Sequence, residues 1–186
     1  SGLQANRNYY FQVTSRDAAG NATVNDNNGA LYTFTTVRAT QPPWFDDLEN
    51  GASNWTVVPD PDNGSDMNWT LGTPDNGLET SAHSGTNAWG SDLDGQPFGF
   101  LASSFLYSPE IDLSGLSQAT LTFWDCFDFS SGLEDGQLGI STNTSTPPAD
   151  IPTLVDFSGE TSDGWEQETV DLTPYIGQTI QIVWYY

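Results

Sequence analysis

The sequence predicts an all-β protein, and three observations carry that expectation. Apolar and polar residues alternate over residues 9–14, 31–36, 119–129, 137–141 and 179–185, the period of two that half-buried strands require. No window of useful length carries a helical period. The chain also contains 18 glycines and 11 prolines, which with clusters of Asn and Asp punctuate it between those runs.

The run at 9–14 leads into Asp17-Ala18-Ala19-Gly20-Asn21, a turn composition, and the run at 31–36 closes on Thr35-Thr36. Beyond it, Arg38-Ala39-Thr40-Gln41-Pro42-Pro43 cannot extend a ladder, because proline lacks the N–H donor. The chain is therefore expected to divide into an arm (residues 1–37), a linker (38–43) and a larger domain (44–186). Two strands cannot bury the inner face of a sandwich, so the arm reads as an excerpt that starts inside a domain.

The arm carries Leu3 and Tyr9 ahead of its first strand, the Asp17-x-x-Gly20-Asn21 turn, and the Phe34-Thr35-Thr36 close. In this it resembles the last two strands of a fibronectin type III domain, an immunoglobulin-like sandwich. The larger segment carries an ordered set of blocks: Phe45-Asp46-Asp47-Leu48-Glu49-Asn50-Gly51, Asn54-Trp55-Thr56, Trp69-Thr70-Leu71-Gly72, His83-Ser84-Gly85, Ala88-Trp89-Gly90, Ser108-Pro109-Glu110-Ile111-Asp112-Leu113, Leu121-Thr122-Phe123-Trp124, Gly164-Trp165 and Val170-Asp171-Leu172. Taken together these resemble the MAM-like jelly-roll accessory domain found beside immune inhibitor A-type and other secreted bacterial peptidases. The resemblance implies an antiparallel two-sheet jelly-roll β-sandwich with a structural cation and no catalytic role. It also implies a further, acidic last strand beyond Tyr186, which this chain is expected to lack.

Charge excludes whole classes of partner. Arg7, Arg16 and Arg38 are the only cationic side chains besides His83, against 25 Asp and Glu, for a formal net charge of -22. Nucleic acid and anionic membrane surfaces are bound through clustered Lys and Arg, so neither is an expected partner. No apolar run is long enough for a membrane span, so no membrane insertion is expected. Two compatible readings of the acids stand: a solvated surface suited to a marine or halophilic prokaryote, and ligands for Ca²⁺. Cys126 is the only cysteine, which rules out a disulfide framework and reads as a small core residue. Sequons occur at Asn21, Asn54, Asn63, Asn68 and Asn143, and decide nothing without knowledge of the host.

Calcium is the first candidate ligand. In an extended strand Asp47 and Glu49 would project to one face, and the turn at Ser84-Gly85 could offer backbone carbonyls beside them. The resemblance points to the same opening strand and turn, while solvated edge charges are the competing reading. Asp60, Asp62 and Asp66 form a second possible calcium loop around Gly64, although its spacing departs from the EF-hand and a polar surface loop explains it as well. Asp92-Leu93-Asp94-Gly95 reads above all as a turn.

Aromatic residues offer a third candidate, since sugar rings stack on exposed aromatic faces. The cluster at Phe98, Phe100, Phe105 and Tyr107 is the expected place, with Phe98, Phe100 and Tyr107 as ligand-binding residues. Trp55, Trp89, Trp124 and Trp165 are expected in the core. No catalytic residue is assigned: His83 is the only histidine, and a turn role suits it. Asp125 interrupts the apolar face of Leu121, Phe123, Phe127 and Phe129, so either it has a partner or ion, or a bulge turns it outward.

The function expected from all this is a non-catalytic accessory module of a secreted or cell-surface multidomain protein, most naturally ancillary to an extracellular peptidase. A carbohydrate-binding module and an adhesive surface-protein repeat are the alternatives. Its partners would be neighbouring domains of the same chain and a glycan or protein ligand.

Overall fold

The alternating runs of the sequence do form strands. The computed structural model describes residues 7–35, 39–60, 69–91, 93–95, 103–129, 135–142 and 151–186. Apart from one 3-10 turn at Thr173–Tyr175, every regular element among the described residues is a strand. No helix there is long and apolar enough to cross a membrane. The chain forms two units, Ser1–Ala39 and Thr40–Tyr186.

In the first unit β1 (Asn8–Phe11) pairs with β4 (Tyr32–Thr35), and β2 (Val13–Arg16) pairs with β3 (Ala22–Asn25), both antiparallel. Phe11 faces Tyr32 and Val13 faces Asn25, so the two ladders make one long hairpin whose return strand makes an excursion at 26–31. Asp17 closes the hairpin turn: its Oδ1 accepts the N–H of Ala19 at 3.0 Å and of Asn21 at 2.8 Å, and its Oδ2 accepts the Asn21 amide at 2.7 Å. The Asn21 side chain, and then these backbone bonds, hold the Asp17 carboxyl below the usual carboxylate range. On one face Tyr9 stacks on Phe34 and Phe11 on Tyr32, with ring centroids 5.6 and 5.3 Å apart. Phe11 and Phe34 stay exposed there, as do Tyr10, Val13 and Val24 elsewhere on the hairpin.

The second unit is a two-layer antiparallel sandwich. One layer is a six-stranded sheet built on β14 (Thr179–Tyr185). Its order is β12 (Thr153–Asp156), β11 (Gln137–Ser141), β14, β8 (Ser104–Tyr107), β5 (Thr56–Pro59), with β9 (Ile111–Asp112) also paired to β14. Opposite it lies the ladder of β10 (Thr120–Asp125) with β13 (Glu166–Asp171), and a short ladder joins β6 (Thr70–Gly72) to β7 (Ala88–Gly90). Leu121, Phe123 and Val170 of the β10–β13 ladder pack against Leu138, Ile140, Ile180 and Ile182 of the large sheet. Burying each such aliphatic side chain contributes about 1.5–3 kcal/mol, which makes this seam the main source of stability. The large sheet is covered on its other face too, where Phe105, Tyr107 and Val183 are buried with Val58, Ile151 and Tyr185 against them.

Three expectations need correction. Thr40 and Gln41 are not free linker: Thr40 exchanges backbone bonds with Glu110 and Asp112, both at 2.7 Å, and bridges to Ile111. Only from Pro42 onward is the donor missing, so Thr40 is still able to join a ladder. Of the four tryptophans expected in the core, Trp55 and Trp89 lie half-buried in a cluster with Trp44 and Trp184. Trp124, by contrast, is 43% exposed, while Trp165 is half-buried beside His83. The residues from Trp44 to Asn50 form no strand, because Leu48 takes a φ of +63° and Asp46 accepts its N–H at 2.9 Å, bending the chain.

Candidate functional site

The loop from Glu79 to Asn87, which delivers the chain into β7, carries the predicted Ser84-Gly85 turn and is where Glu49 meets it. It is held from two sides. On one side Oε1 of Glu49 accepts the N–H of Thr86 and of Asn87, each at 2.8 Å, and the Asn87 amide donates to the Leu48 carbonyl at 3.4 Å. Gly85 makes this approach possible. Its φ is +67°, and a Cβ there would stand 2.6 Å from Oε1 of Glu49.

On the other side the loop lies against the outer face of the β10–β13 ladder. The His83 ring stacks on the Trp124 indole with centroids 3.7 Å apart and planes 12° from parallel. Trp165 meets the same imidazole edge-on at 6.4 Å, and its Nε1 donates to the Ser81 carbonyl at 3.1 Å. Glu79 accepts the Cys126 thiol at 3.6 Å. Burial first, with Glu79 and Asp125 adding to it, pushes the Cys126 thiol up to about 11, so it stays protonated and unreactive at neutral pH.

The calcium candidates divide. Glu49 does meet the Ser84-Gly85 turn, but through amide N–H donors rather than the expected carbonyls. Asp47 does not reach the turn in the same way; its Oδ1 accepts the N–H of Glu49 at 3.1 Å, an Asx turn in place of the expected strand. Among the described residues no group of three or more His, Cys, Asp or Glu converges as a metal site. Asp60 accepts the Ser103 hydroxyl at 2.7 Å. Asp62, Asp66 and Asp92 lie outside the described residues.

The expected sugar platform is not at Tyr107. That residue is buried on β8, pairs with Val183 and has its phenol pushed up by burial, because the flank of β14 is a second core rather than a loop surface. Phe105 is likewise buried and stacks on Tyr185 at 4.6 Å. Phe98 and Phe100 lie outside the described residues.

Asp125 keeps the inward face of β10, with no bulge: the pairing runs in register from Thr120↔Asp171 to Asp125↔Glu166. Its Oδ1 accepts the Cys126 N–H at 2.9 Å. Burial, reinforced by Glu168, pushes its carboxyl up to about 6 in spite of that bond.

The aromatic cluster of His83, Trp124 and Trp165 was not anticipated as a surface feature. The signal was present, since placing Leu121 and Phe123 inward puts Trp124 on the opposite face of the same strand.

No family model matches the sequence, and no curated protein matches it. Among solved structures, the K1 cleaved adhesin domain of Lys-gingipain from Porphyromonas gingivalis W83 is similar, with 21% identity and a TM-score of 0.50 over 76% of this chain and 86% of that one. The K2 cleaved adhesin domain of Lys-gingipain aligns at 17% identity and TM-score 0.47, over 77% of this chain and 89% of that one. The K3 domain from P. gingivalis W83 aligns at 16% and 0.43, over 76% and 87%. At this identity the first likeness bears on fold, and it agrees with an all-β sandwich.

Proposed function

We propose that this chain is a non-catalytic accessory module of a secreted or cell-surface protein, ancillary to an extracellular peptidase, whose work is to hold its parent on a protein or glycan surface. The observation that carries the reading is the likeness of its fold to an adhesin domain of Lys-gingipain. The commitment of His83 to a stack on Trp124 supports it, since that imidazole serves to fasten a loop. The MAM-like reading of the second unit and the fibronectin type III reading of the first belong to the same proposal.

A structural Ca²⁺ is part of it. Glu49 and the Ser84-Gly85 turn are neighbours, and the second unit offers abundant hard oxygen ligands. Because Oε1 of Glu49 already accepts two N–H groups, an ion would draw on its other carboxylate oxygen, on Asp47 and on backbone carbonyls of the turn.

The test exposes the labelled chain to immobilised casein and fibrinogen and to insoluble polysaccharides, with peptidase and glycosidase assays in parallel. Saturable retention without turnover is expected. Turnover of any of these substrates, or no retention on any of them, would overturn the reading.

A further inference from the structure

We propose that the outer face of the β10–β13 ladder, with Trp124 as its aromatic wall, is a binding site for a neutral polysaccharide. The proposal rests on the accessory-module reading and gives it a ligand class and a place.

Strand parity sets the face. Leu121, Phe123 and Val170 point into the core, so the residues alternating with them point away. These are Thr120, Thr122 and Trp124 on β10, registered against Asp171, Thr169 and Gln167 on β13, and all six are exposed. The four steps from Thr120 to Trp124, at about 3.3 Å each, give the face a length of roughly 13 Å. Side chains directly opposite one another stand about 4.5–5.5 Å apart at Cβ, close enough to engage one ligand together.

An exposed tryptophan on a sheet face is informative in a way that a scattered surface leucine is not. His83 lies between Trp124 and Trp165, at the end of the ladder where β13 begins. It covers one face of the indole, and Trp124 remains 43% exposed on the face it shares with Thr122 and Thr169. The wall is also held in place in advance. The His83 stack, the bond from Trp165 to Ser81 and the grip of Glu49 on Thr86 and Asn87 all fix the loop behind it, which lowers the ordering cost of binding.

The chemistry of the face selects its occupant. An indole flanked by threonine hydroxyls and a glutamine amide matches a sugar ring, with apolar C–H groups on its face and hydroxyls around its rim. Anionic glycans are disfavoured: all three arginines fall in the first 39 residues, and only Asp17 and Asp26 of the 25 acids do, so the second unit carries 23 acids and no Lys or Arg. A cationic peptide fits less well, because the residue opposite Trp124 is Gln167 and no carboxylate stands in register with the ring. Asp171 is at the far end and accepts the Thr173 N–H at 2.8 Å.

The experiment is calorimetric titration of the full chain with cellohexaose, xylohexaose and mannohexaose, and separately with hexalysine. Saturable binding of at least one neutral sugar is expected. Trp124→Ala should weaken it about tenfold, Trp124→Phe less, and Thr169→Ala a few-fold. If Trp124→Ala fails to fold, the Phe and Thr169 variants decide. Binding unchanged in Trp124→Ala and Thr169→Ala, no sugar bound, or hexalysine bound in its place would overturn the site. Retention on the insoluble polysaccharides that persists undiminished in Trp124→Ala would leave the accessory-module reading standing and this site fallen. Loss of retention in the wild-type chain would sink both.

Discussion

Oε1 of Glu49 stands so near Gly85 that a Cβ at that position would lie 2.6 Å from it. The same oxygen accepts two backbone N–H groups of the following residues, so one side of the loop entering β7 is fixed by this carboxylate. Because both bonds are exposed, Glu49→Ala should cost only about 1–2 kcal/mol in denaturant unfolding. Gly85→Ala should cost a similar amount, since it forces a left-handed φ on a residue with a Cβ and displaces the carboxylate. The double variant should be less destabilised than the sum, because the clash and the bonds share one partner. Simple additivity would show that the two residues act independently.

The Asp125 carboxyl predicts a pH dependence of definite sign. In the folded chain it holds its proton up to about pH 6, and in the unfolded chain only up to about 4. The folded state therefore binds more protons between those values. The stability this group supplies is complete below about pH 4 and is lost as the pH rises through 6. Asp125→Asn should raise the free energy of unfolding at pH 7 by up to about 3 kcal/mol, and should leave it unchanged near pH 3.5. The amide keeps an acceptor for the Cys126 N–H, so the comparison isolates the charge. Equal effects at both pH values would assign the change to packing.

These two sites show what was legible in the sequence. The strands around Leu121, Leu138 and Ile182 follow from alternation alone, because each buries one face against the other layer. Alternation also carries the inward position of Asp125, and the same parity puts Trp124 outside, where block resemblance had suggested the core. Family-like order places a residue in a strand but not on a face. The bend at Leu48 was beyond reach, since a left-handed leucine is forced by the Asp46 and Asp47 turns and has no residue signature of its own. Tyr107 misled for a related reason: its surroundings read as a loop, while β14 pairs with β8 and buries both of its own faces.

Calcium should announce itself in stability. A cation bound only by the folded chain, at 100 times its dissociation constant, adds about 2.7 kcal/mol. A thermal melt in Ca²⁺ should exceed one in chelator by several degrees, and Glu49→Ala or Asp47→Ala should remove the difference. The Glu49 variant alone has a second effect, the loss of its two N–H bonds in chelator as well. An unchanged midpoint on chelation would leave Asp47 and Glu49 as turn-forming residues only.

The aromatic ladder of the first unit makes a prediction of another kind. Tyr9 and Phe34, and Phe11 and Tyr32, stack in register across β1 and β4, yet Phe11 and Phe34 are still exposed by 44% and 42%. Cross-strand aromatic pairs stabilise a hairpin by up to about 1 kcal/mol each, too little to support two strands without a covering layer. The face should therefore bind a hydrophobic dye in the full chain. Phe11→Thr with Phe34→Thr should remove most of that fluorescence while leaving the cooperative unfolding of the second unit in place, since its core is built from Leu138, Ile140 and Ile182. Dye binding that survives both substitutions would place the exposed apolar surface elsewhere, at Tyr10, Val13 and Val24 of the same hairpin or at Phe45, which is 82% exposed.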